Sequence, residues 1–329
     1  MIITVLGAGS WGTAQAHHLR RAGHEVTVWA REKDVLADIA NGKNEHYFPG
    51  LRIADGIKVT DDLSVALKGR ELVVFAVPSS AYREVSHNAA PSISSETIVV
   101  SSAKGLEPKT QLRMSEVLAE ELGRLERLVV LSGPSFAREL ILNHPTAVTF
   151  AGSWPTAVKT AVKAYHYDNF RAYSSNDVIG VEMGGVVKNV IALATGITDG
   201  CAMGDNARAA LLTRGIAEIA RLVIAMGGRE STVSGLSGIG DLILTSTGDL
   251  SRNRQVGLRL GRGEKLENIL VDIGQVAEGV KAAESCLELA ELYNIDTPII
   301  RETEMVLKGE HSVKEAVANL LSRSPKREN

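Results

Sequence analysis

What this sequence lacks narrows the classes of protein it can belong to. Its 329 residues include only two cysteines, Cys201 and Cys286, too few for a disulfide framework and not at the spacing of zinc ligands. No run of eighteen apolar residues occurs, so no membrane span is predicted. There is no basic excess either, because 36 Lys and Arg stand against 39 Asp and Glu for a net charge of −3. Nucleic acid is therefore not an expected partner, and any anion has to be held by a local cluster of cations.

Two further absences concern location and metal. The apolar N-terminus has no basic leader and turns into glycines after six residues, which predicts a strand rather than a signal peptide. A cytoplasmic protein is the resulting expectation. The eight histidines, His17, His18 and His24 among them, show no ligand spacing, so no metal is expected.

What is present is an alternation of strands and helices in the first half of the chain. Apolar, β-branched runs separated by helix-length segments predict βαβ units and a parallel sheet. The predicted strands are Ile2–Leu6, Glu25–Trp29, Leu72–Val77, Ile98–Ser101, Leu128–Leu131 and Ala147–Phe150. After about Val178 only helical segments follow, namely Val181–Ile197, Ala207–Met226, Ser251–Leu260, Val276–Leu292 and Glu302–Leu307. The sequence thus predicts an α/β Rossmann-like domain, residues 1–178, followed by an all-α domain, residues 179–329.

The stretch "GAGSWG" after the first strand predicts a dinucleotide site. Gly7 permits the tight turn, Gly9 lets the backbone approach a pyrophosphate, and Gly12 allows close packing of helix and strand. The pyrophosphate would then lie at the helix N-terminus, where free amides and the helix dipole favour negative charge.

The end of the second predicted strand, "VTVWARE", indicates which dinucleotide is bound. The acidic residue that holds the ribose 2′-hydroxyl in NAD-binding proteins is replaced there by Trp29 or Ala30, and Arg31 follows. Since an arginine can pair with a 2′-phosphate, NADP(H) is the predicted cofactor. Glu32 could still serve NAD(H), and a plain solvated charge is the alternative reading of Arg31.

Substrate-side residues are predicted at the same edge of the sheet. Lys104 comes just past one strand and the turn of Gly133, Pro134 and Ser135 just past the next, where they supply a charge, amides and a hydroxyl. Further on, Lys188 lies in the otherwise apolar helical stretch Gly180–Gly196, in which Gly184 and Gly185 would let another backbone or a ligand approach closely. Two readings are open for Lys188. It snorkels to cover apolar surface, or it is a partly desolvated lysine with a pKa lowered toward neutrality for proton transfer.

The stretch "SGIGDLILTSTGDLSRNR" holds the remaining candidates. Asp241 is either a helix cap or the carboxylate that orients Lys188. Asp249 or Ser251 is predicted to cap a following helix, whose first turn carries Arg252, Asn253 and Arg254. Arginines are unfavourable at a helix N-terminus, so a structural reason for them is weak. A phosphate receptor explains the cluster better, with a solvated basic turn as the alternative.

Together these segments resemble the bacterial type of NAD(P)-dependent glycerol-3-phosphate dehydrogenase. The resemblance runs in order through "GAGSWGTA", "SSAKGLE", "SGPSFARE", "GGVVKNVIA", "GIGDLILTSTGDLSRNR" and "GQVAEGV". It implies a homodimer with a Rossmann domain and a helical domain, which reduces dihydroxyacetone phosphate to sn-glycerol 3-phosphate for phospholipid synthesis.

The resemblance also implies residue roles. Lys188 would be the general acid/base, with Asp241 beside it. Substrate contacts would come from Lys104, Gly133, Ser135, Ser251, Arg252 and Asn253. On the cofactor side would lie the glycine-rich loop, together with Ser10, Trp11, Arg31, Lys104, Ala137, Arg252, Val276 and Glu278.

Two rival functions remain at this point. One is another two-domain reductase, acting on a 3-hydroxyacid or a 2-ketoacid, which would not require the Ser251–Asn253 cluster. The other is an NADP(H)-binding sensor without catalysis, which would have lost the proton donor, whereas Lys188, Lys104 and Asp241 are all present.

Overall fold

The structure is a computed structural model and describes residues 1–123, 126–274 and 277–324. The chain divides into two compact units, Met1–Glu182 and a second from Met183 onward. The domain boundary placed after residue 178 stays a prediction.

The first unit is built on one eight-stranded sheet with the order β3-β2-β1-β4-β5-β6-β7-β8. Its strands are β1 Ile2–Leu6, β2 Glu25–Trp29, β3 Lys58–Thr60, β4 Leu72–Phe75, β5 Ile98–Ser101, β6 Leu128–Ser132, β7 Thr146–Ala151 and β8 Phe170–Ser175. The α/β prediction is confirmed, and every predicted strand is present, although β3 and β8 were not predicted.

One feature of the sheet differs from the predicted all-parallel arrangement. β6 and β7 run antiparallel, with Leu131 opposite Phe150, whereas the other pairs, β7 with β8 included, are parallel. Strands β1 to β6 keep the order 3-2-1-4-5-6 of a doubly wound dinucleotide-binding sheet, so the expected ligand edge at their carboxyl ends is retained.

Both faces of the sheet are buried. Successive side chains of its central strands point to opposite faces, and the two sets join two different core clusters. In β4, Leu72 and Val74 join one core cluster, while Val73 and Phe75 join another. This is why the central strands read as continuous apolar runs rather than as alternating ones.

The helices of the first unit lie between these strands, and those of the second unit follow them. They are α1 Ser10–Arg21, α2 Lys33–Ala40, α3 Leu63–Leu67, α4 Tyr82–Ala89, α5 Met114–Leu122, α6 Ala137–Ile141, α7 Pro155–Tyr165, α8 Val178–Gly200, α9 Asp205–Ala225, α10 Glu230–Val233, α11 Asp241–Thr247, α12 Arg252–Gly261, α13 Leu266–Ile273, α14 Glu278–Leu292, α15 Pro298–Lys308 and α16 Val313–Leu321. The described residues of the second unit contain helices and turns only, which confirms the all-α prediction.

α8 is the central helix of the second unit. By length and composition it could cross a membrane, but 89% of its most apolar window is buried within the protein, as in a core helix. It packs closely on α12 through glycines: a Cβ on Gly257 would lie 2.0 Å from the Leu193 carbonyl oxygen, and one on Gly196 would lie 2.2 Å from that of Arg254. This contact brings the start of α12 against the helix that carries Lys188.

A buried histidine in the first unit makes the stability of the fold sensitive to acid. His18 on α1 is 3% exposed, its Nε2 donates to the Tyr165 carbonyl oxygen at 2.7 Å, and burial lowers its pKa to about 4. Because the unfolded chain takes up a proton near pH 6.5 and the folded chain does not, this contribution is complete above that pH. It is lost as the pH falls toward 4.

We therefore expect the free energy of unfolding, measured in urea, to fall by about 2 kcal/mol between pH 7 and pH 5 through His18 alone. His18→Gln, which keeps a donor for Tyr165 but does not titrate, should show a flatter dependence on pH over that range. An equal slope in the two proteins would contradict this role of His18.

Candidate active site

The glycine-rich loop between β1 and α1 has the close backbone packing that a dinucleotide cradle needs. Gly7 has a φ of +109°, and a Cβ there would lie 2.7 Å from the Ala76 carbonyl oxygen. A Cβ on Gly12 would lie 2.1 Å from the Gly7 carbonyl oxygen. Helix α1 starts at Ser10. Its N-cap residue is Gly9, so no side chain of the N-cap residue bonds the amides of the first helical turn. The residues present therefore fit a dinucleotide, with the N-terminus of α1 turned to a pyrophosphate.

Asn44, which the sequence did not single out, supports this loop, and Tyr47 lies near it. The Asn44 side chain, fully buried, donates to the Ala8 carbonyl oxygen at 3.2 Å and to Thr13 Oγ1 at 2.9 Å. The Tyr47 hydroxyl would lie 4.0 Å from a Cβ on Gly9. Trp11, placed on the cofactor side by resemblance, packs against the core cluster beneath the sheet.

Arg31 follows β2 closely, where the ribose end of a dinucleotide is expected. Its guanidinium donates to Glu84 Oε1 at 2.6 Å and lies over the Trp29 ring, 5.8 Å from the centroid. Arg31 is an exposed, ion-paired charge, and its role toward a cofactor stays a prediction. Glu32, the alternative acidic candidate, caps α2 with its backbone only.

Three predicted substrate residues meet at one carbonyl group beyond β5 and β6. Lys104 Nζ donates to the Gly133 carbonyl oxygen at 2.8 Å, and Ser135 Oγ donates to the same oxygen at 2.9 Å. Gly133 has a φ of +139°, and a Cβ there would lie 3.0 Å from Val148 Cα. Ala137, the first residue of α6, is half-buried and packs against the core cluster that includes Leu131 and Val148. The two strand ends therefore lie at a common edge, as predicted.

In the second unit, Lys188 lies in a buried polar cluster. Its side chain is 7% exposed, and Nζ donates to Asp241 Oδ1 at 3.0 Å and to Thr245 Oγ1 at 2.6 Å. Asp241, the first residue of α11, is itself 1% exposed. Lys188 is therefore held by a carboxylate inside the protein instead of reaching solvent as a snorkelling lysine does.

The chain approaches Lys188 closely because of a glycine one turn earlier in α8. A Cβ on Gly184 would lie 2.7 Å from the Ser237 carbonyl oxygen, in the π-helical turn Leu236–Gly240 that precedes α11. This packing places Asp241 within reach of the lysine. Thr245 was missed by sequence reasoning, although its i,i+4 spacing from Asp241 puts both side chains on one helix face.

The basic cluster at the start of α12 is partly engaged by the protein itself. Ser251 caps α12, with its Oγ accepting from the Arg254 amide at 3.2 Å. The Asn253 amide group donates to Asn189 Oδ1 and its oxygen accepts from the Gly279 amide, both at 2.9 Å. Arg252, the first residue of α12, is half-buried.

Arg254 corrects one interpretation of the sequence, which found only a weak structural reason for arginine in this turn. Its guanidinium binds Asp199 Oδ2 at 2.9 Å and Asp249 Oδ1 at 3.0 Å, and the Asp199 side chain is 6% exposed. Arg254 therefore ties α12 to the end of α8.

Two residues placed on the cofactor side by resemblance remain. Glu278 begins α14, and Val276 lies outside the described residues.

No metal centre accompanies these groups in the part of the chain that the structure describes. There, no three His, Cys, Asp or Glu side chains are arranged to hold an ion.

Comparison with known proteins relates both units to one family. The family model for the NAD-dependent glycerol-3-phosphate dehydrogenase N-terminus matches residues 2–158, and that for the C-terminus matches residues 177–318. The chain is 48% identical to a glycerol-3-phosphate dehydrogenase [NAD(P)+] of Syntrophotalea carbinolica, over 100% of this chain and 99% of the relative. It is 45% identical to the protein of that name in Bacillus subtilis, over 98% and 94%. A crystal structure of glycerol-3-phosphate dehydrogenase from Coxiella burnetii superposes with a TM-score of 0.93 at 40% identity, covering 98% of each chain.

Proposed function

The chain belongs to the NAD-dependent glycerol-3-phosphate dehydrogenase family and is an oxidoreductase that reduces dihydroxyacetone phosphate to glycerol 3-phosphate, and from this premise we propose which residues carry out the reaction. Lys188 is the general acid that protonates the carbonyl oxygen of the substrate. The observation that carries this proposal is the buried amine of Lys188, held 3.0 Å from Asp241 and 2.6 Å from Thr245.

The proton donor is prepared by its neighbours. A bound nicotinamide cofactor supplies the hydride, and negative charge then develops on the substrate carbonyl oxygen. Asp241 stabilises the ammonium form of Lys188 within the protein, and Thr245 fixes the direction of Nζ. In the oxidation direction neutral Lys188 takes up the hydroxyl proton. Lys104, held by the Gly133 carbonyl oxygen, contributes positive charge toward the substrate.

The cofactor preference is also part of the proposal. A nicotinamide dinucleotide is the family's cofactor, and we assign NADP(H) as the preferred form, with NAD(H) accepted. The support is Arg31. It comes just past the end of β2, where NAD-specific proteins have an acidic residue and this chain has Trp29 and Ala30.

We assign the phosphate group of the substrate to the start of α12, where Arg252 supplies positive charge and Ser251 and Asn253 hold the turn in place. Arg252→Ala should raise KM for dihydroxyacetone phosphate by roughly ten- to hundredfold, because a hydrogen-bonded charge pair is lost. Steady-state kinetics with unphosphorylated dihydroxyacetone is the matched control, since that substrate should not distinguish the variant from wild type. An unchanged KM for the phosphorylated substrate would contradict the assignment.

The remaining parts of the proposal come from the family resemblance. The protein acts as a cytoplasmic homodimer without a metal, its product enters glycerophospholipid synthesis, and neither nucleic acid nor a membrane is a partner. The weakly negative net charge of −3 is consistent with a small-molecule substrate.

Substrate discrimination tests the proposed function against its closest rival. Initial rates of NADPH loss should be high with dihydroxyacetone phosphate and negligible with a 2-ketoacid such as pyruvate. The reverse order would make the protein a ketoacid reductase. Cofactor binding without turnover on either substrate would indicate a sensor.

A further inference from the structure

Glu84 supplies a carboxylate at a position where the dinucleotide-binding sequence pattern lacks one. Dinucleotide sites that prefer NAD place an acidic residue at the end of the second strand, where it accepts a hydrogen bond from the ribose 2′-hydroxyl. Here β2 ends at Trp29, and Arg31 occupies the following turn. Glu84 lies on α4, 53 residues further along the chain, and its Oε1 is 2.6 Å from Arg31 Nη2.

Arg31 makes two contacts in the structure. Its guanidinium carbon lies 5.8 Å from the centroid of the Trp29 ring, and its Nη2 lies 2.6 Å from Glu84 Oε1. Because the guanidinium is the only cation assigned to a 2′-phosphate, a phosphate that reaches it comes close to the Glu84 carboxylate as well. That carboxylate repels a 2′-phosphate but can accept a hydrogen bond from a 2′-hydroxyl.

We propose that Glu84 is a specificity-determining residue that weakens the preference for NADP(H) over NAD(H) by neutralising Arg31 and by offering an acceptor to the ribose 2′-hydroxyl. The inference rests on the proposed role of Arg31 in reading the 2′-phosphate. It explains in physical terms how one chain uses both cofactors: the arginine favours one form, and its ion-pair partner favours the other.

The size of the effect follows from the exposure of the pair. The side chains of Arg31 and Glu84 are 53% and 60% exposed, so water and salt screen them strongly. We expect Glu84→Gln, which removes the charge and keeps an acceptor, to raise the ratio of the NADH to the NADPH dissociation constant roughly fivefold at low salt. Screening should reduce this change at high salt.

The test measures binding rather than turnover, so that it is independent of the chemistry at Lys188. Dissociation constants for NADPH and NADH are determined by calorimetric titration for wild type, Glu84→Gln, Arg31→Ala and the double variant. Inhibition by adenosine 2′,5′-bisphosphate gives a second measure of 2′-phosphate recognition without a nicotinamide. Glu25→Gln is the matched control, because Glu25 begins β2, is also exposed and ion-paired, to Lys58, and lies at the opposite end of the strand.

Four outcomes separate the possibilities. Support is a raised ratio and tighter adenosine 2′,5′-bisphosphate binding in Glu84→Gln, with no change in Glu25→Gln and a smaller effect of Glu84→Gln once Arg31 is alanine. A ratio that falls in Arg31→Ala but does not move in Glu84→Gln overturns the role of Glu84 and leaves the reading of Arg31 intact. An unchanged ratio in Arg31→Ala overturns both. An equal rise in Glu25→Gln would reduce the effect to general charge and would also overturn the proposal.

Discussion

Replacing Lys188 by methionine should lower kcat for dihydroxyacetone phosphate reduction by roughly 10²- to 10⁴-fold, the range expected for loss of a general acid. The reason is specific to this position. Its amine is buried and held by Asp241 and Thr245, so a methionine there leaves the site without its assigned proton donor. Methionine keeps the length and apolar character of the side chain, which limits disturbance of α8.

The measurement is steady-state kinetics combined with cofactor titration. The dissociation constant for NADPH should stay within about twofold of wild type, because Lys188 has no assigned contact with the cofactor, and a general loss of structure would raise it. Near-normal turnover in the methionine variant would remove Lys188 from the mechanism.

Asp241→Asn should produce a large loss of stability in the second unit. Both charges of the Lys188–Asp241 pair are almost fully buried, at 7% and 2% side-chain exposure. Removing the carboxylate leaves the ammonium group without its counter-charge, and breaking a buried pair in this way costs about 3–5 kcal/mol. Turnover should also fall, by at least about tenfold, because the proton donor is no longer oriented. Thermal unfolding and initial rates report the two effects.

A second substitution separates these effects. Lys188→Met combined with Asp241→Asn removes both charges, so the double variant should regain a large part of the stability lost in Asp241→Asn while remaining as inactive as Lys188→Met. If the double variant is less stable than Asp241→Asn by the full additive amount, the two groups are not a coupled pair.

Much of the fold could be predicted because its signals are local. The bounds of β1, β2 and β5 agree with the predicted ones, since each is a short β-branched run bounded by turn residues. β3 has only three residues, two of them polar, and β8 is an edge strand with three of its six residues exposed, so both carry too weak an apolar pattern. The antiparallel direction of β7 leaves no trace in its sequence, because residues alternate between faces in the same way whichever direction a strand runs.

In the candidate site, too, the residues with local sequence signals could be predicted and their distant partners could not. Glycine spacing and strand ends predicted the loop at Gly7 and the meeting of Lys104 with Gly133, and a charged residue in an apolar helix drew attention to Lys188. Partners distant in sequence could not be read in this way: Glu84 and Asn44 reach the site only through folding. For Arg254 the sequence offered only a weak structural role, because its partner, the buried carboxylate of Asp199, lies 55 residues away in the chain.

Reduction of dihydroxyacetone phosphate by this chain with a nicotinamide cofactor can be tested in a single experiment. The initial rate of reduced-cofactor loss is measured on adding dihydroxyacetone phosphate to the wild-type protein, with NADPH and NADH side by side and glycerol 3-phosphate quantified at the end. We expect rapid turnover with both cofactors, faster at low cofactor concentration with NADPH, and one molecule of product for each cofactor oxidised. Tight NADPH binding with no product from either cofactor would show that the chain does not catalyse this reaction.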